Sequence, residues 1–449
     1  MNKTLVLFTA PIATRSVYGS HARDILQSLI KTDKYDIKVS SINWGDCPMN
    51  ALNPNNPKDK LIIDRILTDN SLERQPDIHM QVTVPNEFQP IGKYNIGITA
   101  GIETTLCSVP WVEGINRMDL VIVPSNHSKK VFDETVFTQK DQNGNVTAEL
   151  KCTTPIEVLF EGADTDIYKK TNDIPETIKS SIDNLSTSWN FLYVGHWLKG
   201  DLGQDRKDTG MLVKVFLETF KNQKNPPGLI MKTSGATFSI MDKFELKKKI
   251  KHIKLSVDAK TLPPIHIVHG DLTDEEMNGL YNHKKVKAHI SFTKGEGFGR
   301  PLLEASISQK PVIAPNWSGH IDFLNEQSVL LPGKLAQVHP SSVWENVILP
   351  ESQWFTINYP YASKTMKDVN KNYRNYIVRG QKQGLVNASK FSLKKMDKVF
   401  DEMMDVYLPK FAQEVSLQMP KLSSLQTSET PLPKIQLPKT KKLGETANV

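Results

Sequence analysis

Short runs of β-branched and aromatic residues alternate with longer segments whose apolar residues recur at helical spacing. In the first half, the run KTLVLFTA leads through a loop with Gly19 into HARDILQSLIKT, which carries Ile25, Leu26 and Leu29 on one face. In the second half, WNFLYVGHW begins the same alternation again. Strands that alternate with helices form parallel sheets covered by helices. The pattern therefore predicts an α/β protein with two such domains.

Changes in this pattern predict where the domains end. We expect a first domain over 1–178, a polar and poorly periodic linker over 179–188, and a second domain over 189–385. Helical period returns over 386–412, whereas 413–449 is rich in proline, serine and lysine, which predicts a disordered tail. An Asn-Gly-Asn turn inside the first domain predicts an inserted β-hairpin.

Composition narrows the classes of protein that remain. The chain has 449 residues, 39% of them hydrophobic, and no apolar run approaches the roughly 20 residues that cross a bilayer. We therefore expect no transmembrane segment. Cys47, Cys107 and Cys152 are odd in number and widely spaced, which favours a reducing, cytoplasmic location over a disulfide framework or a zinc site. The net charge of +7 favours an anionic substrate or surface.

The stretch GEGFGRPLLEA is the strongest chemical signal in the chain. It follows a predicted buried strand, and Pro301 suits the first turn of a helix. Ligands of open α/β sheets bind beyond the carboxyl ends of strands, where a helix N-terminus attracts anions. Gly297 and Gly299 would let a phosphate or sugar approach the backbone, while Glu296 and Glu304 offer carboxylates at two depths. The arrangement indicates a nucleotide sugar.

GEGFGRPLLEA resembles the Glu-x7-Glu signature of the retaining GT-B glycosyltransferases of family GT4. Four other segments are similar to that family in order and spacing: GIETTLCSVPWVEGINRMDLVIVPS, VLFEGADTDIY, VGHWLKGDLGQDRKDTGMLVKVF and GLIMKTSG. The similarity spans roughly residues 95 to 330. It implies the GT-B fold, with two Rossmann-like α/β domains facing each other across a cleft, an acceptor-binding first domain and a last helix over 386–412 that crosses back to it.

The resemblance also implies roles for individual residues. Lys207, beside Arg206, would hold the diphosphate and stabilise it as it leaves. Glu296 would accept hydrogen bonds from hydroxyls of the donor sugar, and Glu304 would accept them from the ribose. Glu103 matches the acidic residue that the family has in its first domain. The remaining donor-binding residues would be Gly297, Phe298 and Gly299 at the sugar and distal phosphate, Lys232 and His196 at phosphate, Gly270 and Leu272 at the base, and Gly19 and Ser20 in the loop over the phosphates.

Departures from the family wording leave some roles open. His196 stands where the family has an arginine, so Arg206 or Lys199 would have to supply that charge. Arg300 could grip a phosphate or pair with an acid on its own helix. No metal is implied, because the leaving diphosphate itself can take the proton of the acceptor.

The predicted function is a retaining transfer of sugar from a UDP- or GDP-sugar co-substrate, without a cofactor, to a glycan, lipopolysaccharide or other hydroxyl. Basic groups at Lys247–Lys254 and in the tail could follow a nucleic-acid backbone, so a hydroxymethylated DNA base is an alternative acceptor. A catalytically silent nucleotide-sugar-binding protein is a further alternative. The usual motifs of dinucleotide-dependent oxidoreductases and of serine hydrolases are missing.

Overall fold

The computed structural model describes residues 3–69, 71–235 and 239–411, and the tail predicted over 413–449 lies outside them. Within these ranges the strands are β1 (Thr4–Ala10), β2 (Tyr35–Ser41), β3 (Ile78–Val82), β4 (Tyr94–Ile98), β5 (Leu120–Val123), β6 (Val136–Lys140), β7 (Val146–Lys151), β8 (Ile156–Val158), β9 (Asn190–Val194), β10 (Gly228–Lys232), β11 (Ile265–Val268), β12 (Val286–Ile290), β13 (Val312–Pro315), β14 (Val329–Leu331), β15 (Gly333–Gln337) and β16 (Gln353–Ile357).

The helices of the same ranges are α1 (Val17–Thr32), α2 (Pro57–Ile63), α3 (Val109–Ile115), α4 (Asn126–Glu134), α5 (Glu176–Asp183), α6 (Thr209–Phe220), α7 (Ile240–Leu255), α8 (Asp274–Asn282), α9 (Arg300–Ile307), α10 (Tyr359–Lys371), α11 (Tyr373–Lys390) and α12 (Leu393–Tyr407). Short 3-10 helices lie at Pro85–Glu87, Gly319–Asp322 and Pro340–Ser342. Among the described residues, no helix is both long enough and apolar enough to cross a bilayer.

Two six-stranded parallel sheets organise the chain, as the alternation predicts. The first has the strand order β2-β1-β3-β4-β5-β8 and the second has β11-β10-β9-β12-β13-β14. In the first core, every second side chain of β1, namely Val6, Phe8 and Ala10, is fully buried on the side where α1 packs. In the second core, Phe191 and Tyr193 of β9 pack with the apolar face of α6. The predicted hairpin is confirmed by the antiparallel pair β6–β7.

Helix α12 packs on the first sheet although it follows the second sheet in the chain. Its Met396, Phe400 and Met404 are buried in the core formed by β1 and α1. Close approach is permitted by Gly162, since a Cβ atom there would lie 2.6 Å from the Cα of Leu393. The helical period expected over 386–412 thus falls on the end of α11 and on α12, and residue 412 lies outside the described ranges.

The segment expected as a linker over 179–188 begins inside helix α5. Two residues spaced four apart, Ile178 and Ile182, are buried in a cluster with Leu192 and Tyr281. A helix of eight residues that buries only one such pair shows little apolar period, so the sequence around it looks like a linker. Only the residues after Asp183 leave the helix.

Candidate active site

The candidate site lies where the loop after β12 enters helix α9. Gly299 caps the helix with φ +98°, a left-handed backbone that suits glycine, and Pro301 occupies the first turn as predicted. Glu296 stands in the loop and Glu304 stands on the helix, and both are buried, at 9% and 7% exposure. The loop thus brings both glutamates of the motif into the interior.

Four charged side chains that were predicted as catalytic lie together beside this loop. The Nζ atom of Lys207 is 2.5 Å and 2.7 Å from the two carboxylate oxygens of Glu296. The Nη1 atom of Arg206 is 3.4 Å from Glu296 Oε2 and 3.4 Å from Glu103 Oε1. We call these four residues the charge cluster. Because Glu103 follows strand β4 of the first sheet, whereas the other three follow strands of the second, the cluster joins the regions of the two sheets.

The cluster fixes Glu296 as a carboxylate. Burial would raise the pKa of this carboxyl, but the charges of Lys207 and Arg206 oppose it and lower the pKa to about 2. The Ser318 hydroxyl accepts the backbone N–H of Glu296 at 3.0 Å. Ser318 itself has φ +82°, a conformation that costs a non-glycine residue about 1–3 kcal/mol and is concentrated at functional sites.

The glycines of the loop have a different explanation from the one that the sequence suggested. A Cβ atom on Gly297 would lie 2.0 Å from the carbonyl oxygen of Ala100, and one on Gly295 would lie 1.9 Å from that of Glu103. In addition, the Ser125 hydroxyl donates to the Gly297 carbonyl at 2.5 Å. The missing side chains therefore let backbone of the first half pack against the loop, where we expected a ligand to approach.

Glu304 is linked to the first half through Arg300. The Nε atom of Arg300 is 3.0 Å from Glu304 Oε1, and its Nη1 atom is 2.5 Å from Asp24 Oδ2 on α1. The same Nη1 atom donates to the Ser20 hydroxyl at 3.4 Å. Of the two roles left open for Arg300, the structure contains the pairing with an acid on its own helix. It also adds a second acid from the opposite half.

Two buried carboxyl groups near Arg300 have raised pKa values. Burial raises the pKa of Glu304 to about 7, although the charge of Arg300 opposes this change. Burial likewise raises the pKa of Glu161 to about 7, again against the opposing charge of Arg300. Each group holds its proton in the folded protein at pH values where the unfolded chain, with a value near 4.5, has already lost it.

This difference predicts a pH dependence of stability. Between about pH 4.5 and pH 7 the folded state binds more protons than the unfolded state, so the free energy of unfolding should fall as pH rises, by up to about 1.4 kcal/mol per pH unit for each carboxyl. Urea unfolding at pH 5, 6, 7 and 8 should give a shallower decline for Glu161→Gln than for the wild type. Identical slopes for the two proteins would contradict the assignment.

The predicted phosphate and base contacts lie at the ends of β9 and β10. His196 follows β9 and its Nδ1 atom is 2.9 Å from the Ser234 hydroxyl. Lys232 ends β10 and its Nζ atom donates to the carbonyl of Gly270 at 2.7 Å. Gly270 has φ +120° with open space beside its Cα, and Leu272 is half-buried two residues later. These four residues lie at the carboxyl end of the second sheet.

Two other predicted donor-binding residues have structural explanations of their own. Gly19 is buried in the first turn of α1, where a Cβ atom would lie 2.6 Å from the carbonyl oxygen of Thr14. The Phe298 ring is buried with its centroid 4.9 Å from that of Phe323. Packing inside the protein therefore accounts for the small size of Gly19 and for the position of the Phe298 ring.

Sequence reasoning missed a buried ion pair that supports the charge cluster. Lys294 is 2% exposed in its side chain, lies 3.6 Å from Asp208 Oδ2, and donates to the Thr356 hydroxyl at 3.0 Å. Its backbone N–H donates to the Arg206 carbonyl at 2.7 Å. A lysine in a polar loop usually indicates a solvated position. In the sequence, the feature that could have indicated a buried role for Lys294 is its position two residues before Glu296.

Solved structures resemble about nine-tenths of the chain at low sequence identity. A glycosyltransferase from Rickettsia africae shares 15% identity over 92% of this chain and 100% of that one, with a TM-score of 0.58. Sucrose-phosphate synthase from Thermosynechococcus elongatus shares 11% over 90% and 99%, with a TM-score of 0.60. HepE from Anabaena in complex with UDP-glucose shares 13% over 90% and 99%, with a TM-score of 0.58. The chain has the GT-B fold.

In this GT-B fold, the two six-stranded sheets are the cores of the two α/β domains, as the resemblance implied. The charge cluster and the Arg300–Asp24 pair both connect one domain to the other. No protein-family model and no curated protein sequence matches the chain.

Proposed function

We propose that the protein is a retaining glycosyltransferase that moves a sugar from a nucleotide diphosphate to an acceptor hydroxyl. One observation carries the proposal: Lys207 and Arg206 converge on Glu296 between the two domains, eight residues before Glu304. Two cations there match a diphosphate, and two carboxyl groups match hydroxyls on either side of it. A neighbouring structure supports this, since HepE was solved in complex with UDP-glucose.

In the proposed complex, each member of the site has one task. Lys207 turns from Glu296 to the diphosphate and stabilises the negative charge that develops as the bond to the sugar breaks. The carboxylate of Glu296 accepts hydrogen bonds from hydroxyls of the sugar, and Glu304 accepts hydrogen bonds from hydroxyls of the ribose. With a pKa of about 2, Glu296 is a weak base at neutral pH, so we assign it to positioning and not to proton transfer.

Retention follows if the acceptor hydroxyl attacks from the side on which the diphosphate departs. The bond from the sugar carbon to the phosphate oxygen breaks as the bond to the acceptor oxygen forms, and the departing phosphate oxygen takes the acceptor proton. This step uses no metal and no nucleophile from the protein. The donor must enter while the domains are parted, because in this structure backbone near Ala100 packs on the glycine loop.

A ligand panel tests the proposal. The protein should be incubated with UDP-, GDP- and ADP-sugars, beginning with UDP-glucose, and its thermal unfolding should be followed. A true donor binds only the folded state, so at a concentration of about 100 Kd it should add about 2.7 kcal/mol to the free energy of unfolding. Stabilisation by one nucleotide class and not by free glucose is the expected result. Equal melting temperatures throughout the panel would contradict the proposal.

Turnover separates the transferase from a silent binding protein. The stabilising donor should be hydrolysed slowly in the absence of an acceptor, with release of the nucleoside diphosphate. Binding without any release over long incubation would favour the silent protein.

A further inference from the structure

Helix α7 has apolar residues on both of its faces. Leu246, Ile250 and Ile253 face inward and are buried in the second core. The outward side also carries large apolar residues, whose exposed fractions are 87% for Ile240, 67% for Met241, 59% for Phe244 and 77% for Leu255. A surface helix of a globular protein normally keeps its outward face polar. Ile240, Met241 and Phe244 are neighbours at the start of the helix, whereas Leu255 is at its end, and neighbouring exposed apolar side chains of this size mark a contact surface.

The same outward side carries a row of lysines. Lys243, Lys247, Lys251 and Lys254 are spaced by four, four and three residues, so they lie along one side of the helix. Together with Ile250, Ile265 and Ile267 they line a groove of about 490 Å³ between α7 and the edge strand β11. We call this row, its groove and the four exposed apolar residues the α7 face.

The acids of the helix do not neutralise this face. The backbone N–H of Gly235 donates to the two carboxylate oxygens of Asp242, at 2.9 Å and 3.0 Å. One of these oxygens also lies 2.9 Å from His269 Nε2, so the Asp242 side chain is turned toward the protein. Glu245 lies 3.9 Å from Lys248, which leaves the lysine row without that partner. The face therefore combines positive charge with exposed aliphatic surface.

We propose that the α7 face docks on an anionic lipid bilayer. Lysines attract anionic headgroups, while Ile240, Met241 and Leu255 suit the boundary with the acyl chains. A single-stranded nucleic acid would be bound by stacking aromatic residues, and of the residues on this face only Phe244 could provide that contact. The apolar groups of the face thus favour lipid over nucleic acid as the partner of the lysines.

Docking through this face leaves the charge cluster free. No residue of the α7 face belongs to the candidate active site. The bond between Gly235 and Asp242 ties the first turn of α7 to the loop after β10. The first turn of α7 is therefore held next to the carboxyl end of the second sheet.

Cosedimentation with vesicles tests the proposal. The full chain should sediment with phosphatidylcholine vesicles that contain about a third phosphatidylglycerol, more weakly as salt rises, and should stay in solution with phosphatidylcholine alone. The variant Lys243→Ala/Lys247→Ala/Lys251→Ala should partition about a hundredfold more weakly, from about fivefold for each lysine. The matched control, Lys364→Ala/Lys367→Ala/Lys371→Ala, removes three exposed lysines from α10 and should keep the wild-type partitioning.

A second variant separates insertion of apolar groups from attraction of charge. Ile240→Ser/Phe244→Ser leaves the charge unchanged and should still weaken vesicle binding at least tenfold. Unfolding temperature should match the wild type in both α7 variants. The proposal is overturned if the control variant loses as much binding as the lysine variant, or if an oligonucleotide binds through these lysines while anionic vesicles do not.

Discussion

Replacing Lys207 by methionine should lower the rate of sugar transfer about 10² to 10³-fold, a loss comparable to removal of one preorganised donor at a developing negative charge. The side chain is 16% exposed, and its Nζ atom lies within 2.7 Å of both Glu296 oxygens, so the ammonium group is held inside the site from which it would turn to the diphosphate. The variant should also bind the nucleoside diphosphate more weakly. Single-turnover rates with the donor found in the ligand panel would measure the loss.

Two further variants show whether charge or packing is responsible. Lys207→Arg keeps the charge and should recover part of the rate. Lys224→Met removes an exposed lysine after α6 and should retain the full rate. Unfolding should be measured in parallel, since Glu296 loses a partner in the methionine variant. A Lys207→Met protein that folds and transfers sugar at the wild-type rate would contradict the role of this lysine.

Replacing Lys294 by methionine should lower the free energy of unfolding by about 3–5 kcal/mol, the usual loss when one partner of a buried ion pair is removed. Asp208 is fully buried, and besides Lys294 its carboxylate accepts a hydrogen bond from the hydroxyl of Tyr359 at 2.7 Å. Burial raises the pKa of Asp208 while Lys294 opposes this. Without the lysine, the aspartate should bind a proton more readily, so the loss should be smaller at pH 5 than at pH 8.

The double variant Lys294→Met/Asp208→Asn provides the control for this prediction. It removes both charges, and it should recover at least about 1 kcal/mol relative to the single variant if the two residues are coupled. Urea unfolding followed by circular dichroism gives both values. A loss of less than about 1 kcal/mol in the single variant would mean that the pair is not important for folding.

The sequence predicts the sheets well because their signal is local. Runs such as the one that forms β1 are apolar on both faces, as buried parallel strands are, and the strand before Glu296 ends at Ile290, five residues before the first glycine of the loop. Only the resemblance to a family could place the charge cluster in one site, since Glu103, the adjacent Arg206 and Lys207, and Glu296 stand at three distant places in the chain. Their contact is a property of the folded domains.

What the sequence did not predict depends on contacts between distant segments. Nothing local to Gly297 indicates that Ala100 will pack against it, so its small size was assigned to a ligand. Arg300 has two acids as partners, and only Glu304, four residues away on the same helix, can be seen in the sequence. A buried lysine such as Lys294 reads as a surface residue until its aspartate is known.

The decisive experiment is a crystal structure with the donor found in the ligand panel. We expect the diphosphate within hydrogen-bonding distance of Lys207 and Arg206, the sugar against Glu296 and the ribose against Glu304. Density for the nucleotide sugar elsewhere on the protein, with the Lys207–Glu296 pair still closed, would contradict this expectation.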